Sequence, residues 1–404
     1  MSRPSSLFEG NRHRPVSATP WDEQQARNEI QSLVDTVLSA RLANGLWPCE
    51  EEFPLSLYAG VAGIAWAIDT LVARDYLEQS QSGLCAIQLA ATPELVNNLA
   101  FFAEFGVPLA HSFYLGDAGV YLQAWKETGE RSLLDRIDRL IDANIGHPWM
   151  ENLWGAPSTM LASSHMYSAT GEQRFADHIR QGAAYLWERL EQEPQSRCAM
   201  WNIELYGEKT WLTGAGHGYV GNVFPILRSL EVLDEGLGKQ WLDSIVHTVT
   251  GTAQREHGLA NWQPSIGRAR KGRDHILVQQ CHGSPGFVIS LARLYGCGYE
   301  HFDRVLREAG ELVWEAGPLD KYPGLCHGTP GNGYAFLKLY QLTDDALWLQ
   351  RARQFAVSAV EQRADYVRAG RETNSSLWDG DLGLAIYLAD CIDGMAGFPT
   401  LDYF

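Results

Sequence analysis

Leu325-Cys326-His327-Gly328-Thr329-Pro330-Gly331 answers an earlier stretch, Gln280-Cys281-His282-Gly283-Ser284-Pro285-Gly286. Each Cys-His-Gly-x-Pro-Gly turn runs into an apolar segment, Phe287-Val288-Ile289-Ser290-Leu291 in one case and Tyr334-Ala335-Phe336-Leu337-Lys338-Leu339 in the other. Both read as a glycine-rich turn opening a buried helix, with Cys and His displayed at its N-terminus. Thiolate and imidazole are ligands that zinc prefers, and a helix N-terminus favours the thiolate. A single Cys-His pair is most simply a small buried side chain beside a hydrogen-bonded ring. Two copies of one turn point instead to a shared metal site.

Outward from these two turns, the same pattern of Gly, two residues and Gly (or a near match) before an apolar run recurs. The seven copies begin at Gly60, Gly116, Gly155, Gly218, Gly283, Gly328 and Gly380. The third copy, Gly155-Ala156-Pro157-Ser158, carries serine where the second glycine would stand. Between the turns lie amphipathic stretches: Trp21 to Leu42 behind Thr19 and Pro20, Glu172 to Leu190, and Asp345 to Gln362. Each stretch sets apolar residues at helical spacing, as Phe175, Ile179, Ala183, Leu186 and Leu190 do. Each unit is therefore a helical hairpin, with an inner helix apolar all round and an outer one apolar on one face. No segment alternates convincingly with period two, so the chain reads as all-α. Seven such hairpins close into an α/α toroid, a double ring of seven inner and seven outer helices with every glycine turn at one end. Residues 1–20 read as an extended N-terminal segment, and 21–404 as a single toroid domain. Ala253 to Val278, with the basic run Arg268-Ala269-Arg270-Lys271-Gly272-Arg273, reads as a loop crossing near the mouth.

Composition narrows the function. Forty-five per cent hydrophobic residues and 14 Trp supply a large core, while a formal charge of -17 argues against nucleic acid and anionic membranes. No run approaches the roughly 18 apolar residues of a transmembrane helix. Seven scattered cysteines behind a polar, signal-free N-terminus fit a reducing cytoplasm.

The residue before each first glycine is informative. It is His217, His282 and His327 in the fourth to sixth copies, and Ala59, Leu115, Trp154 and Asp379 in the others. Cys281 and Cys326 stand one residue earlier still. Neighbouring packed helices are about 8–10 Å apart, so adjacent turns can share one ion. Two Cys and one His with an open fourth position is a catalytic type of zinc site.

The residues Gly214-Ala215-Gly216-His217-Gly218, the two Cys-His-Gly turns with Lys321-Tyr322-Pro323-Gly324 before the second, and Ser376-Leu377-Trp378-Asp379-Gly380 resemble the LanC-like family, relatives of the lanthionine synthetase cyclases. The likeness runs from about Leu57 to Ala389. It implies an α/α toroid, Zn2+ held by Cys281, Cys326 and His327, and a proton-moving His217. The wording of the two turns is nearer to glutathione-associated LanC-like proteins than to peptide-antibiotic cyclases. Those cyclases often carry another residue at the position of His282, which sits in a ligand's turn without being a ligand. They also carry an acidic residue before the third repeat, where Glu151 stands nearest. Lys321 matches a position near bound glutathione in the family, and Arg3 loosely matches an N-terminal arginine with a similar part.

The activity so implied is addition of a thiol, glutathione or one in a peptide, to dehydroalanine or dehydrobutyrine in a peptide or protein. The product is a thioether. A lanthipeptide cyclase acting on one dedicated precursor, and a zinc- and glutathione-binding protein without turnover, are the alternatives. Glycosidases and terpene cyclases share the toroid, but they place paired carboxylates or Asp-rich motifs at the mouth.

Overall fold

The computed structural model describes residues 6–48, 53–78, 83–84, 99–267 and 276–404. In chain order the described helices are α1 (Glu23–Ser39), α2 (Val61–Ala73), α3 (Leu99–Glu104), α4 (Asp117–Thr128), α5 (Arg131–Asn144), α6 (Ala156–Thr170) and α7 (Gln173–Trp187). They continue with α8 (Tyr219–Arg228), α9 (Glu235–Thr252), α10 (Ser284–Leu291), α11 (Glu300–Ala316), α12 (Thr329–Thr343), α13 (Ala346–Arg368) and α14 (Asp381–Asp393). Each of the seven repeat glycines is the residue that caps the N-terminus of an even-numbered helix.

The even-numbered helices form the inner ring. Neighbours pack in the order α2, α4, α6, α8, α10, α12, α14, and α14 returns to α2, so the ring closes. Residues Thr329 to Leu339 of α12 and Asp381 to Ile392 of α14 are buried without a break, as surrounded helices must be. The outer helices bury one face each. Thus α5 turns Leu134, Ile137 and Ile141 inward, and α11 does so with Phe302, Val305, Leu306, Ala309, Leu312 and Val313. Outer α1 lies on α14, α5 on α4 and α6, α7 on α6, α11 on α10 and α12, and α13 on α12 and α14. Six long outer helices are among the described residues. Where a seventh is expected, the described residues hold only the short α3. The architecture is an α/α toroid, and no described helix is long and apolar enough to cross a membrane.

Two local readings shift. Helix α1 begins at Glu23, because the Asp22 carboxylate accepts the Gln25 N–H. Thr19, which precedes the stretch in sequence and is another residue type that caps helices, instead donates its hydroxyl to Glu361 at 2.8 Å. Seven strands of two to five residues also appear among the described residues: β1 (Glu191–Gln192), β2 (Ala199–Met200), β3 (Ile203–Leu205), β4 (Glu208–Leu212), β5 (Gln254–Glu256), β6 (Leu259–Asn261) and β7 (Ser265–Ile266). All pair antiparallel, with β3, β4 and β7 forming one small sheet in that order. Strands this short leave too few positions for an alternating pattern to register in sequence.

The turns are joined edge to edge. The residue two before each first glycine is Tyr58, Tyr114, Leu153, Gly216, Cys281, Cys326 or Trp378. The N–H of Gly216 donates to the Cys281 carbonyl (2.9 Å), that of Cys281 to Cys326 (3.1 Å), and that of Cys326 to Trp378 (2.9 Å). Trp378 donates on to Tyr58 (3.3 Å), and Tyr58 to Tyr114 (2.9 Å). Side chains close the remaining gaps: Ser158 Oγ accepts the Phe113 N–H at 2.9 Å, and Asn152 Nδ2 donates to the Ala215 carbonyl at 3.3 Å. The serine of the degenerate third turn thus has its own task in the annulus. Backbone crowding explains the other second glycines. A Cβ on Gly286 would overlap the Gln280 carbonyl oxygen, and one on Gly331 the Leu325 oxygen.

Candidate active site

All seven annulus residues line one cavity of about 440 Å³ at the mouth of the ring. Its lining includes the more exposed Arg12, Ser265 and Lys321 and the fully buried Phe224, Ser290 and Leu401. Leu401 belongs to a tail tucked into the ring. The tail is fastened where Lys338 Nζ meets Asp402 Oδ2 at 2.7 Å and Arg228 donates to the Asp402 carbonyl at 2.5 Å. A cavity of this size suits a small peptide-like ligand.

The annulus sets the donors. Because Cys281 and Cys326 are bonded backbone to backbone in neighbouring turns, their side chains rise together. One donor atom from each of Cys281, Cys326 and His327 lies within 4.8 Å of the other two. Both cysteines are buried, and His327 is partly open to the cavity. The Gln279 amide donates to Cys281 Sγ at 3.0 Å. Cys281 is held well below the ordinary thiol range, chiefly by the hydrogen bond from Cys326, while burial opposes this. Cys326, as the donor of that bond, is pushed well up. Burial works against charge on His327, yet Cys281 and Asp379 hold its pKa above the usual value. Two sulfurs that draw positive charge to one point are the chemistry of a cation site. The donor set fits a thiophilic metal ion with room for an exogenous ligand.

A second group faces the same cavity. His217 Nδ1 lies 2.9 Å from Glu151 Oε2. The Glu151 carboxylate is fully buried and also accepts the N–H groups of Leu153 (3.1 Å) and Trp154 (2.9 Å). A carboxylate only accepts, so Nδ1 carries the proton in this pair and Nε2 is the nitrogen left to exchange protons. The β3–β4 hairpin buttresses the ring from the side. Its two turn residues, Tyr206 and Gly207, both have positive φ (51° and 76°). Tyr206 packs edge-on to His217 with centroids 6.3 Å apart, and its hydroxyl accepts the Trp154 indole N–H at 2.9 Å. His282 is buried, lines the cavity and has its ring centroid 6.3 Å from that of His217.

Lys321 is exposed at the rim and donates to Gln279 Oε1 at 3.2 Å, so it reaches the Cys281 sulfur through one amide. Partial desolvation lowers its pKa, an effect that Cys281 opposes. Arg3 and the basic run 268–273 lie outside the described residues. Arg12 lines the cavity, on an N-terminal segment held where Asp320 N–H donates to the Arg12 carbonyl (2.8 Å) and Arg14 N–H to Pro318 (2.8 Å). Sequence reasoning missed it, since nothing in a short arginine-bearing segment marks which arginine reaches a mouth built some 300 residues later.

The family model for lanthionine synthetase C-like proteins matches residues 51–402. The chain belongs to that family. The solved structure of nisin cyclase superposes on this LanC-like chain with a TM-score of 0.62, covering 91% of this chain and 94% of that one at 15% identity. That likeness concerns the toroid fold alone. Among curated proteins, the chain is 32% identical over 236 residues to the zebrafish (Danio rerio) protein named glutathione S-transferase LANCL1. It is 29% identical over 214 residues to the LanC-like protein GCL1 of Arabidopsis thaliana. These matches take in 57% and 50% of this chain, and 54% and 45% of the relatives, so they span about half of each relative's length.

Proposed function

We propose that this LanC-like protein joins a thiol, glutathione foremost, to dehydroalanine or dehydrobutyrine residues in peptides or proteins. The observation that carries the reading is a single cavity lined by a Cys281–Cys326–His327 donor set, by His217 with the buried Glu151 behind it, and by two cations, Arg12 and Lys321. The name of the LANCL1 relative supports glutathione as the thiol.

Cys281, Cys326 and His327 would hold Zn2+. When bound there, the ion would lower the pKa of a ligated thiol so that thiolate exists at neutral pH. Arg12 and Lys321 bind the carboxylates of the thiol and aim its sulfur into the cavity. The thiolate sulfur forms a bond to the β-carbon, and the double-bond electrons pass to the α-carbon and carbonyl as an enolate. His217, once it has taken a second proton from solvent at Nε2, delivers that proton to the α-carbon, and the thiol's own proton leaves to solvent, so the sum is thiol plus alkene giving thioether. Glu151 keeps the His217 ring in the required tautomer and orientation. His282 borders the reacting centre and shapes it. The described cysteines are all free, which supports a reducing cytoplasmic setting, and we take residues 21–404 as one domain behind an N-terminal segment.

The test is thioether formation on a dehydroalanine peptide, with glutathione and with a cysteine in the same peptide. Product with added glutathione, lost in Cys326→Ala, supports the reading. Ring closure without added thiol would assign the chain to precursor-peptide cyclisation. Glutathione binding without product in either arm would leave a binding protein and overturn the enzymatic reading.

A further inference from the structure

Asp379 occupies in the seventh turn the position that His327 occupies in the sixth. The two turns are locked together. Leu325 and Cys326 both donate their N–H to the Trp378 carbonyl, at 2.6 and 2.9 Å, and a Cβ on Gly324 would lie 2.7 Å from the Asp379 Cα. A second anchor is the Asp379 N–H, which donates to Ser376 Oγ at 3.2 Å. The backbone therefore fixes where this carboxylate can be, and it faces the metal-donor histidine. Asp379 Oδ1 stands 3.5 Å from His327 Nε2, is buried, and makes no hydrogen bond among the described residues. The Tyr58 hydroxyl, brought round by the first turn, stands against the same carboxylate and against the Cys326 sulfur.

A buried carboxylate oxygen without a partner is costly, and a separation of 3.5 Å is just beyond hydrogen-bond length. We infer that Asp379 is a positioning residue for the metal centre: it takes the His327 Nε2–H as hydrogen bond, fixes that tautomer, and leaves the Nδ1 lone pair for the ion. Histidine ligands ordinarily need such an outer partner, which orients the ring and raises its basicity. Tyr58 braces the carboxylate from the far side, so the first, sixth and seventh turns grip one ligand. Asp379 touches neither thiol nor acceptor. Its effect runs through His327.

This inference rests on the metal reading above, and metal binding tests it without turnover. In chelator competition, Asp379→Ala should hold zinc about 10–100-fold more weakly than the wild type, with Asp379→Asn between the two. Cobalt-substituted Asp379→Ala should show shifted d–d bands, and its metal-free melting temperature should match that of the wild type. A purely structural carboxylate would lower that melting temperature and leave the cobalt spectrum alone, which would overturn the assignment. Wild-type zinc affinity in Asp379→Ala would overturn it too. If Asp379→Ala does not fold, Asp379→Asn decides by the same chelator measurement. A wild-type chain that takes no zinc would sink the metal reading itself, and that outcome is distinct from zinc held equally well by wild type and variants.

Discussion

His217 Nδ1 and Glu151 Oε2 are 2.9 Å apart, joining the third turn of the ring to the fourth across 66 positions of sequence. The carboxylate cannot swing away, because the Leu153 and Trp154 N–H groups hold it. Glu151→Gln removes the carboxylate charge that faces Nδ1–H and can turn an amide N–H toward that nitrogen instead, so the ring can no longer readily hold protons on both nitrogens, as delivery from Nε2 requires. Loss of a general acid–base group commonly costs about 10²–10⁴ in rate. The expected result is a fall in thioether formation within that range, with zinc content unchanged. Single-turnover product analysis beside elemental analysis checks it, and wild-type turnover would remove Glu151 from the mechanism.

Arg12 and Lys321 reach one cavity from opposite ends of the sequence. Among the described residues, Arg12 and Lys321 are the lysine and arginine side chains that line the cavity, in a chain of net charge -17. Truncating one partner of a charge-assisted contact removes about 1.5–3 kcal/mol, or roughly 10–100-fold in affinity. Arg12→Ala and Lys321→Ala should each weaken glutathione binding by calorimetry to that extent while zinc stays bound. Unchanged affinity in both would make them bystanders at the rim.

The repeat that made the ring legible is the glycine pair, and its physical reason is backbone crowding at the first helical turn. Cys281, Cys326 and His327 were readable because each sits at a fixed offset from such a glycine. Glu151 was only approximately placed, since its turn carries Ser158 in place of glycine and the partner that defines it lies one turn on. Asp379 appeared only as one of four residues other than histidine at that place in the repeat, and its relation to His327 exists only once the ring is closed. Arg12 gave no signal at all. It belongs to no repeat, and its position depends on backbone bonds to Pro318 and Asp320. The β3–β4 hairpin, which carries Tyr206 to His217, is too brief to outweigh the helical pattern around it.

Backbone crowding yields a direct stability test. Alanine at Gly286 would meet the Gln280 carbonyl and come within 2.8 Å of the Ala215 Cβ, whereas alanine at Gly146 would meet nothing within 4 Å. Overpacking of a filled interior costs about 1–3 kcal/mol, and a backbone obstacle cannot rotate aside. Gly286→Ala should therefore lose at least that much in denaturant titration, and Gly146→Ala should melt like the wild type. Equal stabilities would show that the turn can shift and that the glycine pair has another origin.

The last expectation concerns acid. His165 is buried in the ring interior, with Nε2 2.9 Å from the Thr400 carbonyl and Nδ1 3.3 Å from Arg228 Nη2. A carbonyl only accepts and a guanidinium only donates, so Nε2 carries the proton and Nδ1 must keep its lone pair. A second proton would go to Nδ1, facing a cation in a buried site. Burial, with Arg228 beside it, accordingly depresses the His165 pKa well below its ordinary 6.5. The unfolded chain then binds one more proton than the folded chain at every pH between the depressed value and 6.5. Stability from this group is fully present above about 6.5 and declines as the pH falls below it, by about 1.4 kcal/mol per unit, until the folded ring itself is protonated. Because Thr400 adjoins Leu401 in the cavity lining, the same protonation would loosen the tail that closes it. Denaturant midpoints at pH 7.5 and 5.5 should fall further in the wild type than in His165→Gln, whose amide can serve both partners without titrating. The same pH dependence in both proteins would mean that His165 does not govern acid stability.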